Sequence, residues 1–197
     1  MTWRDRTIKR AFDLIVSCIG LVVVWPAIVV AWVIASIETR SNGLFVQKRI
    51  GRYGKPFPLF KIKTMRDTPG GTTVTTAVDA RITRSGAFFR RTKIDELPQL
   101  IHVCLGQMSL VGPRPDVPGF ADRLEGEDRE ILQLRPGITG PASLKYRDEE
   151  ALLAKQSDPE AYNREVIWPD KVAINRQYIT EYSLKNDIMY LWKTVAG

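Results

Sequence analysis

The feature that most limits what this chain can fold into is an uncharged run of 24 residues, Leu14 to Ile37, reading LIVSCIGLVVVWPAIVVAWVIASI. A helix needs roughly 20 apolar residues to cross the hydrocarbon core of a bilayer, so the run is long enough to do so. It is too long for the apolar stretch of a signal peptide and ends without a small-x-small cleavage pattern. The run is therefore read as a membrane segment. Pro26 falls near its middle, where it removes a helix hydrogen bond and crowds the preceding turn. Basic residues flank both ends: Arg4, Arg6, Lys9 and Arg10 before it, Arg40, Lys48, Arg49 and Arg52 after it. Positive charge marks the cytoplasmic side, and here both ends claim it. A re-entrant helix, broken at Pro26, that enters and leaves by the same leaflet fits both observations, and the residues alone leave it level with a second reading. A kinked spanning helix is the alternative.

The rest of the chain has the composition of a folded domain, with 44% hydrophobic and 26% charged residues, which excludes wholesale disorder. Two cysteines, Cys18 and Cys104, and one histidine, His102, leave no material for a disulfide framework or a zinc cluster. The net charge of +7 conceals an asymmetry: residues 1–115 carry +11 and residues 116–197 carry −4. An anionic partner is expected near the first part.

Residues 43–66 alternate strand-type side chains about the Gly51–Lys55 turn and predict a β-hairpin. The Gly/Thr-rich stretch 67–80 reads as a surface loop. Leu97, Leu100, Ile101, Cys104 and Leu105 make one helical stripe, predicting a helix over 94–105 ended by Gly106, with Asp95 and Glu96 at its N-terminus because Pro98 fits only near a helix start. A short helix is predicted over 120–134. Leu184, Ile188, Leu191, Trp192 and Val195 predict a C-terminal helix that packs on the core or lies among lipid headgroups.

Three constellations carry chemistry. Between Arg40 and Arg66 stand eight basic residues and no acid. Most of them are read as a solvated or lipid-facing surface, but Lys61 and Lys63 alternate with Phe60 and Ile62 and are expected to share one face of a cleft. Adjacent Asp95 and Glu96 follow Arg90, Arg91 and Lys93. Paired carboxylates at a helix start are ordinarily caps, yet next to concentrated cations they suit Mg²⁺-dependent phosphoryl transfer, in which the metal bridges carboxylate and phosphate. In MSLVGPRPD and LRPGITG an arginine sits between or beside prolines; Pro113 and Pro115 stiffen the backbone around Arg114, as a phosphate clamp requires. No nucleotide-binding glycine loop is present. His102 is read as structural.

With FKIKTM, TKIDELPQL, MSLVGPRP and LRPGITG in this order behind a proline-interrupted apolar segment, almost the whole chain resembles the monotopic phosphoglycosyl transferases of the bacterial sugar transferase family. The resemblance implies an α/β fold: a mostly helical, membrane-associated domain with a small β-hairpin or sheet and interfacial helices (41–197), behind a re-entrant membrane segment (1–40), in the minimal form of the family. It implies transfer of a sugar 1-phosphate from a UDP-sugar to undecaprenyl phosphate with release of UMP, at the cytoplasmic face of the bacterial inner membrane. By the same resemblance Asp95 is the nucleophile of a covalent, ping-pong mechanism and Glu96 assists with Mg²⁺ or proton handling. Lys61, Arg90, Arg114 and Arg147 are expected around the phosphates and nucleotide. Membrane lipid and a second copy of the chain are further expected partners. Trp25 stands where the family often has Ser, Pro141 where an aromatic residue is common, and Asn175, with Asp170 nearby, where an aspartate is frequent. A non-catalytic, membrane-anchored scaffold for glycan enzymes is the rival reading. A nucleic-acid binder has no use for the apolar run.

Overall fold

A computed structural model describes residues 1–67 and 80–196. The loop expected over 67–80 lies, apart from its two end residues, outside the described residues. The architecture is mostly helical, with two small sheets.

Helix α1 spans Trp3–Thr39. It opens on a capping box in which Thr2 Oγ1 accepts from the Asp5 N–H and Asp5 Oδ2 accepts from the Thr2 N–H, and it closes on Arg40 in the left-handed region. Helical backbone continues through Pro26, so the expected helix–break–helix is found as one helix. The lost N–H is one bond among the ladder of a 37-residue helix, and its apolar neighbours have no better way to satisfy their backbone groups than to remain helical.

The burial pattern of α1 is inside out. It buries Lys9, Asp13, Ser17, Ala31 and Ala35, while Ile15, Ile19, Val22, Val23 and Trp25 stand exposed. Only 11% of its most apolar window is covered by protein, which excludes a core helix. Both ends dock on the same body. Near the N-terminus Arg10 donates to the carbonyls of Val103 and Cys104, and Asp13 accepts from Ser109 Oγ and the Leu110 N–H. Near the C-terminus Ala31 and Ala35 pack on Ile62 and Phe89, and Glu38 accepts from Ser85.

Strands β1 (Leu44–Ile50) and β2 (Pro56–Ile62) form the predicted antiparallel hairpin, in register from Leu44 opposite Ile62 to Ile50 opposite Pro56. Helix α2 (Arg84–Thr92) starts where the backbone passes so near Thr64 that a Cβ on Gly86 would lie 2.2 Å from the Thr64 carbonyl oxygen. The helix expected over 94–105 is divided into a 3-10 turn, Ile94–Glu96, and α3, Gln99–Cys104. Pro98 has no N–H to give to Ile94, which accounts for the division. Strands β3 (Ser109–Val111) and β4 (Gly137–Thr139) pair in parallel. Between them the helix expected over 120–134 appears as two 3-10 stretches, Ala121–Arg123 and Gly126–Gln133, interrupted by extended Leu124 and positive-φ Gly126. Helices α4 (Pro141–Lys145), α5 (Glu149–Leu153) and α6 (Pro159–Tyr162) follow; α6 passes through a π turn, Asn163–Ile167, into α7 (Trp168–Thr180), and α8 (Leu184–Ala196) ends the chain as predicted.

The core forms where the hairpin, α3, β3 and α7 meet, around Phe57, Leu59, Val103, Met108, Leu110 and Tyr178. Beside it, Lys9 of α1 donates to Asp187 of α8 at 2.5 Å, and Tyr178 donates to the other Asp187 oxygen at 2.7 Å. Removing one member of a buried ion pair leaves the other charge desolvated and unpaired. Asp187→Ala is therefore expected to lower unfolding free energy by about 3–5 kcal/mol, and the Lys9→Met, Asp187→Ala double variant to recover part of that loss. Denaturant titration in detergent reads both.

Candidate active site

Helix α2 ends on Lys93 in the left-handed region (φ 59°), a turn that delivers the next residues to the interior. Asp95 and Glu96 are there 7% and 9% exposed, an unusual degree of burial for adjacent carboxylates. Glu96 Oε1 accepts from Lys61 Nζ of β2 at 2.9 Å and from Arg114 Nη2 at 2.5 Å. Arg114 follows β3 between two prolines, so its stiff backbone brings a third element to the same oxygen.

The two carboxylates are driven in opposite directions. Burial, and then the charge of Glu96, push Asp95 up to about 6, against the pull of Lys61, Lys93 and Arg90. Burial acts on Glu96 as well, but Arg114 and Lys61 override it and hold its carboxyl well below the usual range. Glu96 in turn raises Arg114, while burial lowers Lys61. Glu96 is thus a fixed anion joining two cations, whereas Asp95 keeps an oxygen, Oδ1, that is buried with no hydrogen-bond partner.

Of the four cations expected at the site, Lys61 and Arg114 touch Glu96 directly. Arg90 donates to Glu150 of α5 at 3.1 Å, close enough for its charge to act on Asp95. Arg147 donates to the Lys193 carbonyl in the last turn of α8 at 2.8 Å. Lys63 does not share the target of Lys61: β2 has ended at Ile62, and Lys63 donates to Ser41 and Asp67. His102 is structural, as expected, its Nε2 accepting from the Phe60 N–H and its Nδ1 bonded to Gln107. Asp170 takes Lys145 and Tyr146, and Asn175 is buried in α7.

Sequence reasoning missed a second charged layer. Arg49 of β1 donates to the Pro115 carbonyl at 3.1 Å, and Lys171 of α7 donates to Glu149 of α5 at 2.6 Å. The charges of Arg49, Arg114, Lys171 and Glu149 all act on Asp116, whose carboxyl burial pushes up to about 6. Asp116 was findable, because it closes the rigid GPRPD segment; Glu149 and Lys171 join it only through tertiary packing.

Among the described residues no group of three or more His, Cys, Asp or Glu side chains converges on one point. The site therefore offers no all-protein metal cage. It does offer two adjacent carboxylates, one with a buried oxygen that lacks a partner. Mg²⁺ fits such a donor set, since it is commonly held by one or two carboxylates and completed by substrate phosphate and water.

Residues 4–197 match the family described as bacterial sugar transferase. The chain is 41% identical over 150 residues to a Bacillus subtilis protein provisionally named an undecaprenyl-phosphate N-acetylgalactosaminyl 1-phosphate transferase, covering 75% of this chain and 83% of that one. It is 32% identical over 202 residues to the exopolysaccharide production protein PSS of Rhizobium leguminosarum, covering 98% and 96%. To the UDP-glucose:undecaprenyl-phosphate glucose-1-phosphate transferase of Caulobacter vibrioides it is 33% identical over 197 residues, covering 96% and 68%. A match from residue 4 to residue 197, with relatives above 30% identity along nearly the whole chain, places this protein in the bacterial sugar transferase family.

Proposed function

We propose that this protein is a phosphoglycosyl transferase that moves a sugar 1-phosphate from a UDP-sugar to undecaprenyl phosphate by way of a covalent Asp95 intermediate. The observation that carries the mechanism is the contrast within the pair: Glu96 is locked between Lys61 and Arg114, while Asp95 has a buried, unpartnered oxygen and ionises near 6. Donor and acceptor follow from the names of the relatives. In the first half-reaction an Asp95 carboxylate oxygen forms a bond to the sugar-bearing phosphorus, and the bond from that phosphorus to the bridging oxygen breaks. UMP leaves with the bridging oxygen and the electron pair. In the second, a phosphate oxygen of the lipid attacks the same phosphorus and Asp95 is released as carboxylate, leaving a lipid diphosphate sugar. Splitting the transfer lets one site serve a water-soluble donor and a lipid acceptor in turn.

Lys61 and Arg114, held by Glu96, supply positive charge to the transferring oxygens, and Arg90 adds to the field. Mg²⁺, held by Asp95 and Glu96, would offset the repulsion between carboxylate and diphosphate. The exposed apolar face of α1 is proposed to lie in the inner membrane, with both helix ends kept at the cytoplasmic side by their docking on one body.

The test is a single-turnover experiment without acceptor. Protein, Mg²⁺ and a panel of UDP-sugars should give about one equivalent of UMP per chain with the correct donor, and a mass increase of one sugar phosphate that maps to Asp95. Undecaprenyl phosphate should then discharge it. UMP release that requires the acceptor from the start would defeat the covalent mechanism.

A further inference from the structure

Three guanidinium groups meet at the far end of the hairpin from Lys61, and the transfer chemistry uses none of them. Arg10 of α1 donates to the Val103 and Cys104 carbonyls at 2.6 and 3.0 Å. Arg135, before β4, donates through Nε to the Gly106 carbonyl at 2.8 Å, and a Cβ on that same Gly106 would lie 3.3 Å from Arg10 Nη2. Arg52, in the β1–β2 turn, donates through Nε to the Gln133 carbonyl at 2.8 Å, two residues from Arg135, with its guanidinium 4.5 Å from the Tyr53 ring centre. All three are half-buried, and among the described residues none lies within ion-pair distance of a carboxylate. Asp13, whose charge reaches Arg135, is engaged by Ser109 Oγ and the Leu110 N–H. Arg52 and Arg10 also depress the Arg135 pKa by like-charge repulsion, after the effect of burial.

A half-buried guanidinium needs partners for its five N–H donors. Here each is fixed in place by backbone carbonyls, and Arg52 and Arg135 use only Nε, leaving their outer N–H groups for a bidentate anion. The surface beside them is apolar: Leu105, next to Gly106, is 67% exposed, and Leu14, one turn beyond Arg10 on the same side of α1, is half-buried. A cationic cradle bordered by hydrocarbon-type side chains matches a phosphate headgroup with its acyl chains attached.

We propose that Arg10, Arg52 and Arg135 form a binding site for the headgroup phosphate of an anionic phospholipid, separate from the site at Asp95. It rests on α1 lying in a bilayer and is independent of the phosphoryl-transfer reading. The cradle holds the hairpin tip, the C-terminal end of α3 and the start of α1 against the membrane surface.

The experiment compares protein in mixed micelles containing phosphatidylglycerol or phosphatidylcholine, with inorganic phosphate in plain detergent as the free-anion control. Phosphatidylglycerol should raise Tm by at least about 4 °C relative to phosphatidylcholine, and inorganic phosphate should not. Arg52→Gln should remove at least half of that difference, Arg52→Lys should keep most of it, and UMP release in phosphatidylcholine micelles should be the same for both as for the parent. Native mass spectrometry gives a second reading that does not depend on the thermal scan: one retained phosphatidylglycerol in the parent and Arg52→Lys, and none in Arg52→Gln. Equal shifts with both lipids, an equal shift with inorganic phosphate, or a full shift and a retained lipid in Arg52→Gln would each overturn the assignment. No UMP release from the parent protein, with its phosphatidylglycerol effect present, would count against the Asp95 reading alone.

Discussion

Asp95→Asn is expected to abolish turnover and, at the same time, to make the protein more stable at alkaline pH. Removing the proposed nucleophile should lower kcat by at least about a thousandfold, with UDP-sugar binding retained because Lys61 and Arg114, the cations proposed to face the donor, are left in place. The stability gain follows from the raised carboxyl of Asp95, pushed up to about 6 in the fold from the ordinary 3.8. Between these values the folded protein holds a proton that the unfolded chain has released, so stability falls as pH rises through the window. Above about pH 6 the full cost is present, on the order of 3 kcal/mol. An amide does not ionise and escapes it. In EDTA, the variant should unfold at higher denaturant concentration than the parent at pH 8, and the two should converge near pH 4. Equal stability at both pH values would mean that Asp95 is not strained by its burial. The parent enzyme carries the companion effect: its kcat/KM should fall tenfold per pH unit on the acid side of the Asp95 ionisation, about 6 without Mg²⁺ and lower with it, where the proposed nucleophile takes up a proton.

The residues behind these two effects are partly legible in the sequence. Asp95-Glu96 after a run of cations, and Arg114 between two prolines, were legible because their constraints are local: a helix start and a fixed φ. The hairpin was legible for the same reason, its alternation and its two-glycine turn lying within twenty residues. Glu149, Lys171 and Arg49 were not, since what brings them to Asp116 is the packing of α5, α7 and β1 around the GPRPD segment. Arg147 shows the converse. An arginine that the family resemblance sets near the phosphates donates to the end of α8, where the carbonyls of the last helical turn attract it. The apolar run was read correctly in composition, but the inside-out burial of α1 depends on Lys9, Asp13 and Ser17 falling on one helical face toward α8 and β3. Hydropathy averages that face away.

Glu96→Gln should separate the anchor from the nucleophile. The amide keeps its shape and can still accept from Lys61 and Arg114, but the charge that joins them is gone. Arg114 is 43% exposed on its side chain and Lys61 19%, so water screens part of the loss, and the expected destabilisation is roughly 1–3 kcal/mol rather than that of a fully buried pair. Activity should fall about a hundredfold or more through misplacement of both cations. The distinguishing effect is on pH. Glu96 is the neighbour whose charge raises Asp95, while Lys61 lowers it. Without Glu96, only burial opposes the pull of Lys61, Lys93 and Arg90 on Asp95, so the acid limb of the residual kcat/KM should move to lower pH than in the parent. Lys61→Met should move it the other way, because a cation that favoured the carboxylate has been removed. Opposite displacements in the two variants, read from pH–rate profiles at saturating Mg²⁺, would establish that Glu96 acts on Asp95 through charge. Parallel displacements would mean that both substitutions only loosen the 3-10 turn that carries the pair.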